Sequence, residues 1–218
     1  MYRLKISYLI MILILWLWFV FAHNPRVVWD IDNSIENPFL VDNPENSQAF
    51  YDQLKWKPSF YKIFSDTDFL LYLSLTVPAI SWSDQDYWII IKDDLWNLVD
   101  NIESNNFKWT KFYEKFAWDL YYQWPWFERF VGSWTYYIQI YSLDNMWKYA
   151  LAIWKLEIRP INEIRNTFKV LPALKTYFFE KSFIVIFFNY IWISLFVIII
   201  LILLIILIIN KFIKKFKL

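Results

Sequence analysis

The chain has 218 residues, a formal net charge of +1 and an aromatic content of 23%. It has no Cys, which excludes a disulfide framework, iron–sulfur ligation and thiolate zinc sites; one His and three Met are too few for a haem or copper centre. A single Gly rules out phosphate-cradling and dinucleotide-binding glycine loops. The composition therefore leads us to expect no cofactor and no metal.

In chain order, residues 1–5 carry Arg3 and Lys5 and precede an apolar run over 6–22. Trp18, Phe19 and Phe21 crowd any signal-cleavage site, so this run is expected to be an uncleaved anchor. A second apolar run covers 183–209 and is followed by a basic tail over 210–218 with Lys211, Lys214, Lys215 and Lys217. Both runs reach the minimum length for a spanning helix of roughly 17 residues. Neither contains Asp, Glu, Lys, Arg, His or Cys, so both read as anchors rather than conduits. The cations gathered at the two ends leave the stretch between the runs net negative. Positive flanks stay on the side of insertion, which puts both termini on one side and the domain at 23–182 on the other.

Within that domain, 24–43 is rich in Asn, Asp and Pro and reads as an extended connector. Pro44 opens an expected helix that ends near Trp56, before Pro58, and Asp66 caps another over 67–76. Ser83 to Asp86 resembles an N-cap with acids in the first turn, leading a helix to Glu103. Its apolar positions Trp88, Ile91, Leu95, Leu98, Val99 and Ile102 keep three-to-four spacing. A further helix is expected over 107–122, with Trp109, Phe112, Phe116 and Leu120 as its apolar stripe. Trp124-Pro125-Trp126 follows as a rigid turn. Residues 134–141 (WTYYIQIY) give the one strand signal. Helices over 144–156 and 161–180 complete the series, the latter kinked at Pro172. The fold class expected is mainly α: two transmembrane helices flanking a mostly helical domain with little β.

No catalytic constellation emerges. The acidic pairs Asp30/Asp32, Asp84/Asp86 and Asp93/Asp94 lack the Gly and terminal Glu of a calcium loop, and His23 has no second imidazole. They read as helix caps and solvated surface. The candidate site is instead an interaction surface of Trp109, Phe112, Phe116, Leu120, Trp124 and Trp126. Aromatics this dense favour protein contacts, and the net-negative middle argues against nucleic acid.

Residues with AT-rich codons (Phe, Tyr, Ile, Asn, Lys) dominate, yet there are 15 Trp. That conflict disappears if UGA also encodes Trp. In this bias and in its paired apolar runs, the chain resembles lineage-specific respiratory-complex subunits encoded in ciliate mitochondrial DNA; an AT-rich mycoplasma-like bacterium would give similar statistics. The resemblance covers the whole chain but rests on no motif, so it carries over no site residues. It implies a non-catalytic structural or assembly subunit of a mitochondrial inner-membrane complex. That placement is two-pass, with matrix termini and an intermembrane-space domain. Cytochrome c oxidase is the first choice, because an acidic domain would sit where basic cytochrome c docks; complex I and ATP synthase are alternatives. Partners would be other subunits and membrane lipids. A reading of another class is a bacterial membrane-tethered enzyme or sugar-binding module using the aromatic surface.

Overall fold

A computed structural model describes residues 23–115, 117–154 and 161–216 of the chain. Among these residues twelve strands form two sheets. The seven-stranded sheet contains β1 (Asn24–Val27), β3 (Gln48–Gln53), β12 (Lys148–Ile153), β5 (Phe69–Pro78), β9 (Asp119–Gln123) and β8 (Thr110–Glu114) in that spatial order. β10 (Phe127–Val131) also pairs with β5. The five-stranded sheet runs β2 (Phe39–Val41), β4 (Ser59–Phe64), β11 (Thr135–Ser142), β6 (Tyr87–Asp93) and β7 (Leu98–Glu103). Pairing is antiparallel except for β1 with β3 and β2 with β4.

The two sheets face each other across one core. Strand alternation sends Phe50, Leu71, Leu73, Leu75, Tyr149 and Leu151 inward from one sheet; Tyr61, Ile63, Ile89, Ile91, Ile138 and Ile140 meet them from the other. Each such side chain contributes roughly 1.5–3 kcal/mol when fully buried. A carboxylate sits within this core. Asp52 Oδ2 accepts from Asn33 Nδ2 (2.7 Å), Tyr149 OH (2.8 Å), Ser59 Oγ (2.9 Å) and Tyr61 OH (3.2 Å). Four donors replace the water that a buried carboxylate loses.

The outer face of the seven-stranded sheet is small at its centre, with Ala49, Ser74, Ala150 and Ala152. A helical segment seats there. α1 (Ile161–Ala173) is tied to β1 by a two-pronged pair, Arg26 to Glu163, with both N–O distances 2.7 Å. Pro172, inside α1, has no N–H to donate, and the chain widens into a π-helical turn at Leu174–Phe178. Leu174, Phe178 and Phe179 pack on Trp29, Tyr121 and Ala150. A 3₁₀ turn, Phe183–Phe187, then leads to α2 (Tyr190–Phe216).

The architecture overturns the mainly α expectation. The helices expected over 44–56, 67–76, 83–103, 107–122 and 144–156 are replaced by β3, β5, β6 with β7, β8 with β9, and β12. Their three-to-four spacing arose because several strands are apolar on both faces: in β6, Tyr87, Ile89 and Ile91 are buried while Trp88 and Ile90 point outward, half-buried. The expected strand over 134–141 coincides with β11. The two-pass topology in a mitochondrial inner membrane is corrected as well. Among the described residues one helix, Trp192–Asn210, is long and apolar enough to cross a membrane, and it lies on the C-terminal side. The first expected span, 6–22, lies outside the described residues.

Candidate functional site

Among the described residues no helix packs on the outer face of the five-stranded sheet. Register builds it in three rows. Leu40, Lys62, Tyr137, Lys92 and Leu98 lie across β2, β4, β11, β6 and β7. One step along β11, Gln139 aligns with Ile90 and Asn101. The next step aligns Tyr141 with Trp88 and Glu103.

Two near-parallel aromatic pairs stand on this face. Trp88 and Tyr141 are 5.3 Å apart with 15° between planes, and Trp96 stacks on Tyr137 at 5.2 Å and 15°. Tyr137 and Tyr141 are four residues apart on one strand, which separates the pairs by about 14 Å. Lys62 Nζ lies 5.6 Å from the Tyr137 ring centre and Lys92 Nζ 5.1 Å from that of Trp96, within cation–π range. Between the pairs the amides of Gln139 and Asn101 offer donors and acceptors. Asn101 Nδ2 also donates to Glu103 Oε1 at 3.4 Å. Burial against Trp88 raises the Tyr141 phenol above its ordinary range, and Glu103 raises it further, so it stays a neutral donor.

The β6–β7 turn places Trp96. Asp93 accepts from the Asn97 backbone N–H (2.8 Å) and side-chain amide (2.9 Å), and Trp96 takes a left-handed φ of 63°. Trp134 Nε1 donates to Asp94 beside it. Asp84 in turn accepts from the backbone N–H groups of Gln85 and Asp86. Asp32 pairs with Lys57, and His23 with the Ser47 hydroxyl. The acids read as helix caps and solvated surface thus organise turns and a surface ion pair. Among the described residues no group of three or more His, Cys, Asp or Glu could hold a metal.

The six residues singled out from sequence are scattered elsewhere. Trp109 packs at the core edge, with Tyr87 at 6.5 Å and Trp124 at 5.8 Å, and Trp124 is buried. Phe112 on β8 pairs with Tyr121 on the outer face of the seven-stranded sheet, whereas Leu120 pairs with Tyr113 on the opposite face. No helical stripe joins them. Trp126 is exposed in the connection to β10, and Phe116 lies outside the described residues. The sequence reading missed the face of Trp88, Trp96, Tyr137 and Tyr141. Tyr137 and Tyr141 stood in its one strand signal at four-residue spacing, the cue that would have pointed there.

No family model matches the chain, and no curated protein matches it. Among solved structures it is similar to the pre-peptidase C-terminal domain of a collagenase from Bacillus anthracis. The identity is 7%, the match covers 62% of this chain and 97% of that one, and the TM-score is 0.32. It is also similar to a protein from Eubacterium rectale described as secreted, at 12% identity, 49% and 32% coverage and a TM-score of 0.27. Both scores are too low to carry an argument about function. The respiratory-subunit reading, with its mitochondrial and oxidase assignment, is nevertheless overturned. The domain expected was mostly helical, and the one found is built of two facing β-sheets.

Proposed function

We propose that the chain is a non-catalytic, membrane-tethered binding module that takes glycans on the outer face of its five-stranded sheet, with α2 as the tether. One observation carries this reading: two ordered aromatic pairs about 14 Å apart, one of them flanked by Lys62 and Lys92, with Gln139 and Asn101 between the pairs. Pyranose rings present apolar C–H faces that lie against aromatic surface, and their hydroxyls bond to amides. The spacing suits a chain of several sugar rings rather than a single one. The two amines favour a glycan carrying carboxylate or phosphate groups. Half-buried and exposed aromatic rings gathered on a sheet face that no described helix covers suit an interaction site. The polar row between the pairs favours a hydroxyl-rich ligand over a second apolar surface.

Affinity electrophoresis of the detergent-solubilised full chain through gels holding xylan, laminarin, hydroxyethylcellulose or polygalacturonate tests the proposal. Retardation is expected, greatest with polygalacturonate, and Trp88→Ala and Tyr137→Ala should abolish it without unfolding the sandwich. Free migration through all four polysaccharides would overturn it.

A further inference from the structure

The segment between the sandwich and α2 is apolar, exposed and yet ordered. Phe183 (66%), Ile184 (59%), Phe188 (58%), Tyr190 (46%) and Phe187 (45%) all present surface to solvent. They are not a loose linker. Ile186 is buried, and Asn189, fully buried, donates from Nδ2 to the Ile186 carbonyl at 2.7 Å and accepts from the Trp192 N–H at 3.2 Å. Phe187 touches Trp192 at 5.2 Å, Trp192 touches Phe168 of α1 at 6.1 Å, and Tyr190 stands edge-on to Trp118 of the β8–β9 turn at 5.7 Å.

What covers this surface follows from what it is joined to. The apolar stretch Trp192–Asn210 has 19 residues, about 28 Å of helix, close to the roughly 30 Å of a bilayer's hydrocarbon core. No charged residue occurs between Ser182 and Asn210. With Trp192 at one edge of the hydrocarbon, residues 183–190 lie at headgroup depth, where Trp and Tyr concentrate.

We infer that Phe183, Ile184, Phe187, Phe188 and Tyr190 form a rigid collar seated at the acyl–headgroup boundary of the bilayer, docking the sandwich on the lipid by its seven-stranded side. This rests on the reading of α2 as a membrane span. The collar is joined to the sheet below by ion pairs: Asp119 at the start of β9 meets both Lys175 and Lys181, each at 2.6 Å. The domain is thus held at a set angle instead of swinging on a linker.

The chain has no Cys, so single labels are placed without background. Ile184→Cys, Ile200→Cys and Gln139→Cys, each carrying a nitroxide, are compared in the full chain reconstituted into phosphatidylcholine nanodiscs. Accessibility to oxygen and to a water-soluble nickel chelate reports depth. Ile200 is expected to be deep, Ile184 at the boundary, and Gln139, on the opposite side of the sandwich, aqueous. An aqueous Ile200 would defeat the spanning reading and the collar with it. A deep Ile200 with an aqueous Ile184 would defeat the collar alone.

Discussion

Lys175 Nζ lies 2.6 Å from Asp119 Oδ2, with the lysine side chain wholly shielded from solvent and the aspartate nearly so. Burial lowers the Lys175 pKa below the ordinary lysine range, against the pull of Asp119. Lys175 also donates to the Ala117 carbonyl. A buried pair adds little over an apolar replacement, but removing one partner strands a charge. Asp119→Ala should therefore cost about 3–5 kcal/mol. Lys181→Ala, which removes the more exposed partner, should cost about 1 kcal/mol or less. Urea unfolding of both variants in micelles, followed by tryptophan fluorescence, measures the difference. Equal losses would show that the buried pair is not what binds β9 to the helical segment.

Alkali should unfold this protein. Tyr51, Tyr61, Tyr87, Tyr121 and Tyr149 are buried, and burial first of all raises each phenol above its ordinary pKa near 10. Above that pH the unfolded chain releases protons that the folded chain retains, so stability falls as pH rises. Each phenol contributes up to about 1.4 kcal/mol per pH unit. Lys175 opposes this, because its lowered pKa makes folding more favourable as pH approaches the lysine range; one proton does not offset five. The urea midpoint should drop steeply between pH 9 and pH 11, and tyrosinate absorbance should rise in two phases, the second accompanying unfolding. A single phase with an unchanged midpoint would contradict the burial of these phenols.

Asp52 is the acceptor on which the core network converges. Asp52→Ala leaves Asn33, Ser59, Tyr61 and Tyr149 without their common acceptor, although Tyr61 and Tyr149 retain their mutual 2.9 Å bond. An unsatisfied buried donor costs about 1–3 kcal/mol, so the loss should exceed about 3 kcal/mol. Tyr149→Phe removes one donor and should cost about 1 kcal/mol. Thermal melting by circular dichroism ranks the two, and an Asp52→Ala melt no lower than that of Tyr149→Phe would refute the network.

Turn strain yields a prediction of the opposite sign. Trp56, Trp96, Trp118 and Trp154 all have left-handed φ, from 59° to 69°. A residue with a Cβ pays about 1–2 kcal/mol there, and Asn tolerates it best. Trp56 is 75% exposed, so Trp56→Asn loses little burial and should raise the melting temperature by the equivalent of about 1 kcal/mol. Trp118→Asn removes the contact with Tyr190 and should not stabilise. A lower melting point for Trp56→Asn would show that its ring contributes packing beyond its exposure.

These turns also explain what could be read from the sequence. Hairpins normally announce themselves by Gly at left-handed positions. This chain has one Gly, and Asn43, Trp56, Trp96, Trp118, Asn145 and Trp154 occupy such positions instead. Without those signals Asp84 and Asp144 looked like helix starts, since the same side-chain acceptor that starts a helix also closes a turn, and Asp93 looked like the solvated side of a helix. β11 was legible because polar and aromatic residues alternate along it with buried ones. β5 was not, because FLLYL is apolar on both faces and Ser74 on the outer face is buried, so no exposed polar residue marks the alternation. The candidate face was hidden for a different reason. Trp88 and Tyr141 are far apart in sequence and meet only through the β6–β11 register.

The helical segment that leads to α2 seats on the side of the sandwich opposite the aromatic face, and this sets a separation. Two sheets and a helical layer lie at intervals of about 10 Å. On the proposed reading the module is therefore a spacer: the face that takes the glycan is turned away from the bilayer, and its search for ligand is confined to a layer beyond the headgroups.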